Sequence, residues 1–64
     1  MDSEYALTDI EAAERLSLSV ATLRAWRLVG RGPRYVKFGR AVRYLVTDLE
    51  AFIAESRVEH EART

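Results

Sequence analysis

The apolar residues of this chain keep helical spacing over two short stretches near the start, alternate in the middle, and return to helical spacing near the end. Ile10, Ala12, Ala13 and Leu16 form the first stripe, and Leu7 precedes it. Thr8-Asp9-Ile10-Glu11 stands at its head as a capping box, in which the Thr8 hydroxyl accepts from the Glu11 backbone N–H while the Glu11 side chain reaches back. The pattern predicts a helix over roughly 9–16. Ser17-Leu18-Ser19 interrupts it, and Ser19 is placed to cap a second helix from Val20 to about Val29. Gly30 is positioned to close that helix in the left-handed conformation.

Two short helices joined by about three residues, with Leu18 expected to fill the space between them, form a helix-turn-helix. Arg31-Gly32-Pro33 then turns the chain out of helix. Tyr35-Val36-Lys37-Phe38 and Val42-Arg43-Tyr44-Leu45-Val46 are rich in β-branched and aromatic residues and predict a hairpin across Gly39-Arg40-Ala41. With that loop, Val36 and Phe38 share one face, Val42 and Tyr44 share a face, and Lys37 and Arg43 lie together opposite them. Thr47-Asp48-Leu49-Glu50 reads as a second capping box, and Leu49, Phe52 and Ile53 give the last helix one apolar edge. From Glu55 onward the residues are mostly charged. Phe38, Leu49, Phe52 and Ile53 are expected in the core, as is Trp26, which shares helical spacing with Leu23. Tyr35 and Tyr44 are expected to pack within the hairpin.

Composition narrows the chemistry. Sixty-four residues are too few for a cofactor-binding unit plus a catalytic domain. A core of this size supplies about 3–5 kcal/mol, and without cysteine there is no disulfide framework to reinforce it. With His60 as the single histidine and no thiolate, no metal site is expected. No apolar run approaches the length of a membrane span, and the acidic N-terminus lacks a signal-peptide pattern, so a cytoplasmic location is expected. No nucleophile, base and orienter occur together, and there is no Gly-rich phosphate loop, so neither catalysis nor a cofactor is expected. The acids at Asp9/Glu11 and Asp48/Glu50 fall in first helical turns, where capping and the helix dipole account for them.

The net charge of zero conceals a strong division. Residues 1–23 balance to −4 and residues 44–64 to −3. Between them Arg24, Arg27, Arg31, Arg34, Lys37, Arg40 and Arg43 stand without a single acid, a balance of +7. A neutral chain that gathers its positive charge in one central third offers a site for a polyanion.

The segment from Leu7 to about Ala54 resembles the MerR-type winged helix-turn-helix domain of phage and plasmid excisionases and related regulators. The likeness lies in Thr8 to Leu18 with its Ala-Ala-Glu-Arg-Leu centre, in Ser19-Val-Ala-Thr-Leu-Arg-Ala-Trp-Arg27, in Gly39-Arg-Ala-Val-Arg-Tyr44 and in Asp48-Leu-Glu-Ala-Phe52. Together these cover about three quarters of the chain in the family's order. The resemblance implies a mainly α fold with a small β-hairpin, in which a helix over 20–29 enters the major groove of double-stranded DNA. The hairpin over 35–46 would then be a wing on the minor groove or backbone. It divides the chain into an arm (1–6), the winged domain (7–54) and a charged helix end or tail (55–64).

The residues fit this assignment. Leu23 and Trp26 point one way, with Val20 at the margin, whereas Ala21, Arg24, Ala25 and Leu28 form a separate stripe. Small residues flanking one long donor suit a helix that lies deep in a groove. By the resemblance Arg24 is the base-edge candidate. Arg27, at the packing edge, is expected either to contact phosphate or to pack its stem. Ser19 and Thr22 can offer donors to a phosphate at the helix start, and for Ser19 capping alone is an equal alternative. Gly39 and Arg40 at the wing tip, Lys37 and Arg43 on its strands, and Arg31 and Arg34 beside the break complete the expected DNA surface, with Arg40 aimed at a minor groove.

The sequence contains no Asn and no Gln, so the usual bidentate adenine readers are missing. Readout then rests on Arg to guanine, on Ser or Thr, and on apolar contact with thymine methyls. Affinity should lean on phosphates, with log K falling at a slope of about −4 to −5 against log salt, and on several copies bound to repeated sites. The resemblance implies an accessory protein that bends attachment-site DNA and directs a partner integrase towards excision. A promoter regulator of the same fold is the alternative. A protein-interaction module using Leu49, Phe52 and Ile53 is a third reading.

Overall fold

The computed structural model describes residues 6–58. Its elements follow in the order β1 (Ala6–Leu7), α1 (Asp9–Leu16), α2 (Val20–Leu28), β2 (Val36–Phe38), β3 (Ala41–Leu45) and α3 (Val46–Ser56). The fold is mainly helical, with a small antiparallel sheet of strand order β1-β3-β2. This is a winged helix-turn-helix.

Local chemistry sets the first two helices. At α1 the Glu11 N–H donates to Thr8 Oγ1 at 3.1 Å, and the Thr8 N–H donates to Glu11 Oε1 at 3.0 Å, so the capping box forms. The helix ends on Ser17 in the left-handed region, φ 60°, with Leu18 N–H donating to Ala13 O at 2.9 Å. Ser19 caps α2 by accepting from the Thr22 N–H at 3.1 Å. Gly30, φ 74°, closes α2, and the N–H of Arg31 returns to Trp26 O at 2.8 Å, satisfying carbonyls that the helix leaves open.

The core is Leu7, Ala12, Ala13, Leu23, Tyr44 and Leu49, with Leu16, Val20, Trp26, Val42 and Val46 packed against it. Two of the buried six are alanines at the α1–α2 contact, which lets those helices approach closely. That close approach leaves no gap for Leu18, which is exposed rather than wedged between the helices as the sequence reading expects. Trp26 meets Phe52 of α3 with ring centroids 5.8 Å apart. Tyr35 lies 5.9 Å from Tyr44.

The hairpin differs from the sequence expectation by one residue, and the consequence runs along the whole strand. Phe38 pairs with Ala41, Lys37 with Val42 and Val36 with Arg43, so the turn is Gly39-Arg40 alone. Gly39 takes φ 65° at the first turn position, which suits a tight two-residue connection. Shifting the pairing by one residue exchanges the faces of β2. Lys37 therefore lies on the face of Val42 and Tyr44, and Val36 and Phe38 lie with Arg43 on the other. Phe38 is 63% exposed and does not belong to the core, and Lys37 and Arg43 do not share a face.

Two further departures arise from packing. Ala6 and Leu7 pair with Leu45 and Tyr44, adding a third strand that no alternation over two residues could reveal. The chain also passes from β3 into α3 without a loop, and Leu45 occupies the cap position with no side-chain hydrogen bond. Val46 packs on the core as the first helical residue, so the Thr47 to Glu50 capping box does not form. On α3, Leu49 is buried and Phe52 half-buried, whereas Ile53 is exposed, contrary to its expected core position. The helix runs to Ser56, inside the charged segment from residue 55 that is expected as a helix end or tail. The arm up to residue 5, and the tail from residue 59 with His60, lie outside the described residues.

Gly32 combines two demands. Its φ is 85°, and a Cβ there would stand 2.7 Å from Trp26 Cε3. Gly30 also has positive φ but faces open space. Gly32→Ala is therefore expected to cost about 2–4 kcal/mol from backbone strain plus the clash, against about 1 kcal/mol for Gly30→Ala. Urea midpoints followed by circular dichroism test this, and equal losses would show that the Trp26 contact carries no weight.

Candidate nucleic-acid interface

The second helix divides its faces as its spacing predicts. Leu23 is buried and Val20 and Trp26 pack beside it, while Ala21, Arg24, Ala25 and Leu28 all face solvent. Leu28 is 87% exposed. The stripe is thus a low, largely apolar ridge that carries one long donor and stays exposed among the described residues.

Arg24 is not free of partners. Its Nε donates to Asp9 Oδ2 at 2.8 Å, and its Nη2 lies 3.4 Å from Asp9 Oδ1. The Arg24 hydrogen bond, helped by the Arg24 and Arg27 charges and the Ile10 N–H, holds the Asp9 carboxyl below its ordinary 3.8 despite opposing desolvation. The same hydrogen bond raises Arg24. Sequence spacing could not show this contact, because the partners stand 15 residues apart and Asp9 already has a sufficient local reason to open a helix.

Arg27 serves the fold. Its side chain is 22% exposed, its Nη1 donates to the Tyr44 hydroxyl at 3.3 Å, and its guanidinium lies 5.7 Å from the Tyr35 ring centre. Of the two roles expected for Arg27, the structure displays packing. Ser19 likewise spends its oxygen on the α2 cap and lies 2.9 Å from the half-buried Thr22 hydroxyl.

The remaining cations fall into an exposed set and one half-buried member. Arg31 and Arg34 are exposed and line an open hollow with Gly30, Gly32, Pro33 and Tyr35. Lys37 and the turn residues Gly39 and Arg40 are exposed on the wing. Arg43 is half-buried, with Nη1 donating to Val42 O at 2.8 Å. Among the described residues no three His, Cys, Asp or Glu side chains gather as a metal site, and no helix is long and apolar enough to cross a membrane.

A buttressed pair of helices, an exposed second helix and a basic two-stranded wing define a helix-turn-helix DNA-binding module. The comparison of sequences agrees: the profile of a helix-turn-helix domain family matches residues 6–57, and this chain belongs to that family. The chain matches no curated protein and no solved structure. Family membership carries sequence-specific DNA binding with it.

The Asp9 ion pair and the Arg27–Tyr44 hydrogen bond each make a prediction. Asp9 has a lower value folded than unfolded, so its contribution to stability is present above pH 3.8 and lost as pH falls through the folded value. In a melting series from about pH 6 to about pH 2, Asp9→Asn should show a shallower acid decline than the parent chain, and parallel curves would refute this. Arg27→Ala should lower stability by about 1–3 kcal/mol, because it strands the buried Tyr44 hydroxyl. Arg31→Ala serves as the surface control and should stay within about 0.5 kcal/mol of the parent.

Proposed function

We propose that this protein lays α2 in the major groove and its wing on the adjacent minor groove or backbone, and that it acts as an excisionase. Bound at repeated sites in an attachment region, it bends the DNA and directs a partner integrase towards excision. The observation that carries the reading is the exposed stripe of Ala21, Arg24, Ala25 and Leu28 beside a wing tipped by Arg40. Ala21, Ala25 and Leu28 suit thymine methyls, and Arg24 is the single long donor for a base edge.

A surface with so few base readers gains little discrimination per copy. Its affinity rests on phosphates, on DNA shape and on several copies side by side, as an architectural role requires. Arg31, Arg34, Lys37 and Arg40 are the exposed cations available for phosphates or for a narrow minor groove. Arg27 and Arg43 stay with the fold in this reading. The helix-turn-helix family includes excisionase-like proteins, which supports the same assignment.

Recombination in vitro tests the proposal, using the neighbouring integrase and its attachment-site DNA with and without this protein. Stimulated excision with inhibited integration is the expected result. Unchanged recombination in both directions with intact DNA binding would transfer the assignment to a promoter regulator, and absence of binding at low salt would refute both. Fluorescence anisotropy should give a slope of log K against log salt of about −4, and Arg40→Ala should reduce it by about 0.9.

A further inference from the structure

The pair that ties α1 to α2 involves the one long donor of the exposed stripe. Asp9 is the first residue of α1, directly after the Thr8 cap, so its backbone position is set by the capping box. Its side chain is only 18% exposed, and Arg27 Nη1 stands 3.8 Å from the same Oδ2 that accepts from Arg24. The carboxylate is thus a fixed anchor, whereas the Arg24 side chain is 52% exposed and extends past it.

A guanidinium carries five N–H donors in a planar fork. Asp9 occupies the Nε edge, taking the Nε–H and approaching one Nη2–H. The opposite end, with both N–H groups of Nη1 and the second of Nη2, has no hydrogen-bond partner among the described residues. Two parallel N–H donors at that end match the O6 and N7 acceptors of guanine in the major groove, and they meet an unfavourable donor on adenine N6 or cytosine N4.

We propose, resting on the DNA-binding reading above, that Asp9 is a positioning residue for base recognition, holding Arg24 by its Nε edge so that its Nη1/Nη2 end reads one guanine. A carboxylate at a DNA surface also repels phosphates. Removing it therefore produces two effects of opposite sign: affinity for any duplex rises, and preference for the guanine falls. A purely structural Asp9 would lower affinity for every duplex. A purely competing Asp9 would raise it everywhere and leave the preference unchanged.

The experiment selects duplexes from a random pool with the full chain, then remakes the tightest one with 7-deazaguanine at each guanine in turn. This base keeps its pairing and loses only the N7 acceptor. The parent chain is expected to lose about tenfold at one guanine. Arg24→Lys, which keeps the charge but not the fork, should lose less than about twofold there. Asp9→Ala should cut the tenfold penalty to about two- to threefold while binding an unrelated duplex more tightly, and Asp9→Asn, with one acceptor left, should fall between. Circular dichroism confirms that each variant is folded, and Asp9→Asn decides if Asp9→Ala is not. A full penalty retained in the Asp9 variants, a penalty surviving in Arg24→Lys, or no sensitive guanine in the parent chain would each overturn the proposal. Failure of the parent chain to enrich any duplex would overturn the DNA-binding reading beneath it.

Discussion

Tyr44 is the side chain around which the other elements are arranged. It lies on the central strand β3, is 1% exposed, and pairs across the sheet with Leu7 of β1. Its ring lies against Tyr35, and its hydroxyl accepts from Arg27 of α2. A buried phenol needs a hydrogen-bond partner, and among the described residues a long donor from the neighbouring helix supplies it. The same contact therefore sets how α2 sits against the sheet, and with it the relation between the candidate reading helix and the wing. Arg27 spends a guanidinium N–H on the Tyr44 hydroxyl and is only 22% exposed for this reason, although its charge alone would place it at the surface.

The small core makes such single contacts matter. Six buried core side chains among the described residues, two of them alanine, leave little redundancy in a domain whose core supplies about 3–5 kcal/mol. Backbone positions that admit few residues compensate by defining where each helix stops. Gly30 ends α2, and Gly32 lets the chain fold back onto the Trp26 ring, which in turn meets Phe52 of α3. The break between α2 and the wing is thus a packed joint, and it carries Arg31 and Arg34 to the surface on either side.

Charge is arranged on the same economy. The acidic first third does more than balance the basic centre, since Asp9 reaches across to Arg24 and approaches Arg27. An ion pair this exposed adds little stability. Its geometric effect is larger: it removes one edge of the guanidinium from solvent and limits where the other can point. Arg31, Arg34, Lys37 and Arg40 stay exposed at the joint and on the wing, without a salt bridge among the described residues.

What the sequence determined by itself was whatever a few neighbouring residues decide together. Thr8 and Glu11 cap α1, Ser19 caps α2, and Gly30 closes α2, because each device joins groups no more than about five residues apart. The exposed stripe of α2 was legible for the same reason, since helical period alone separates it from Leu23. Tertiary structure decided the rest. Whether the wing turn holds two residues or three sets which face of β2 lies with Tyr44 and Val42, and that single residue sends Phe38 outward and parts Lys37 from Arg43. The short β1 exists only because β3 offers it an edge, and α3 begins at Val46 because that side chain packs on the core. Arg24 with Asp9 and Arg27 with Tyr44 join residues 15 and 17 positions apart, beyond any local period, so two arginines alike in sequence acquire their different tasks only when the helices and sheet close around them.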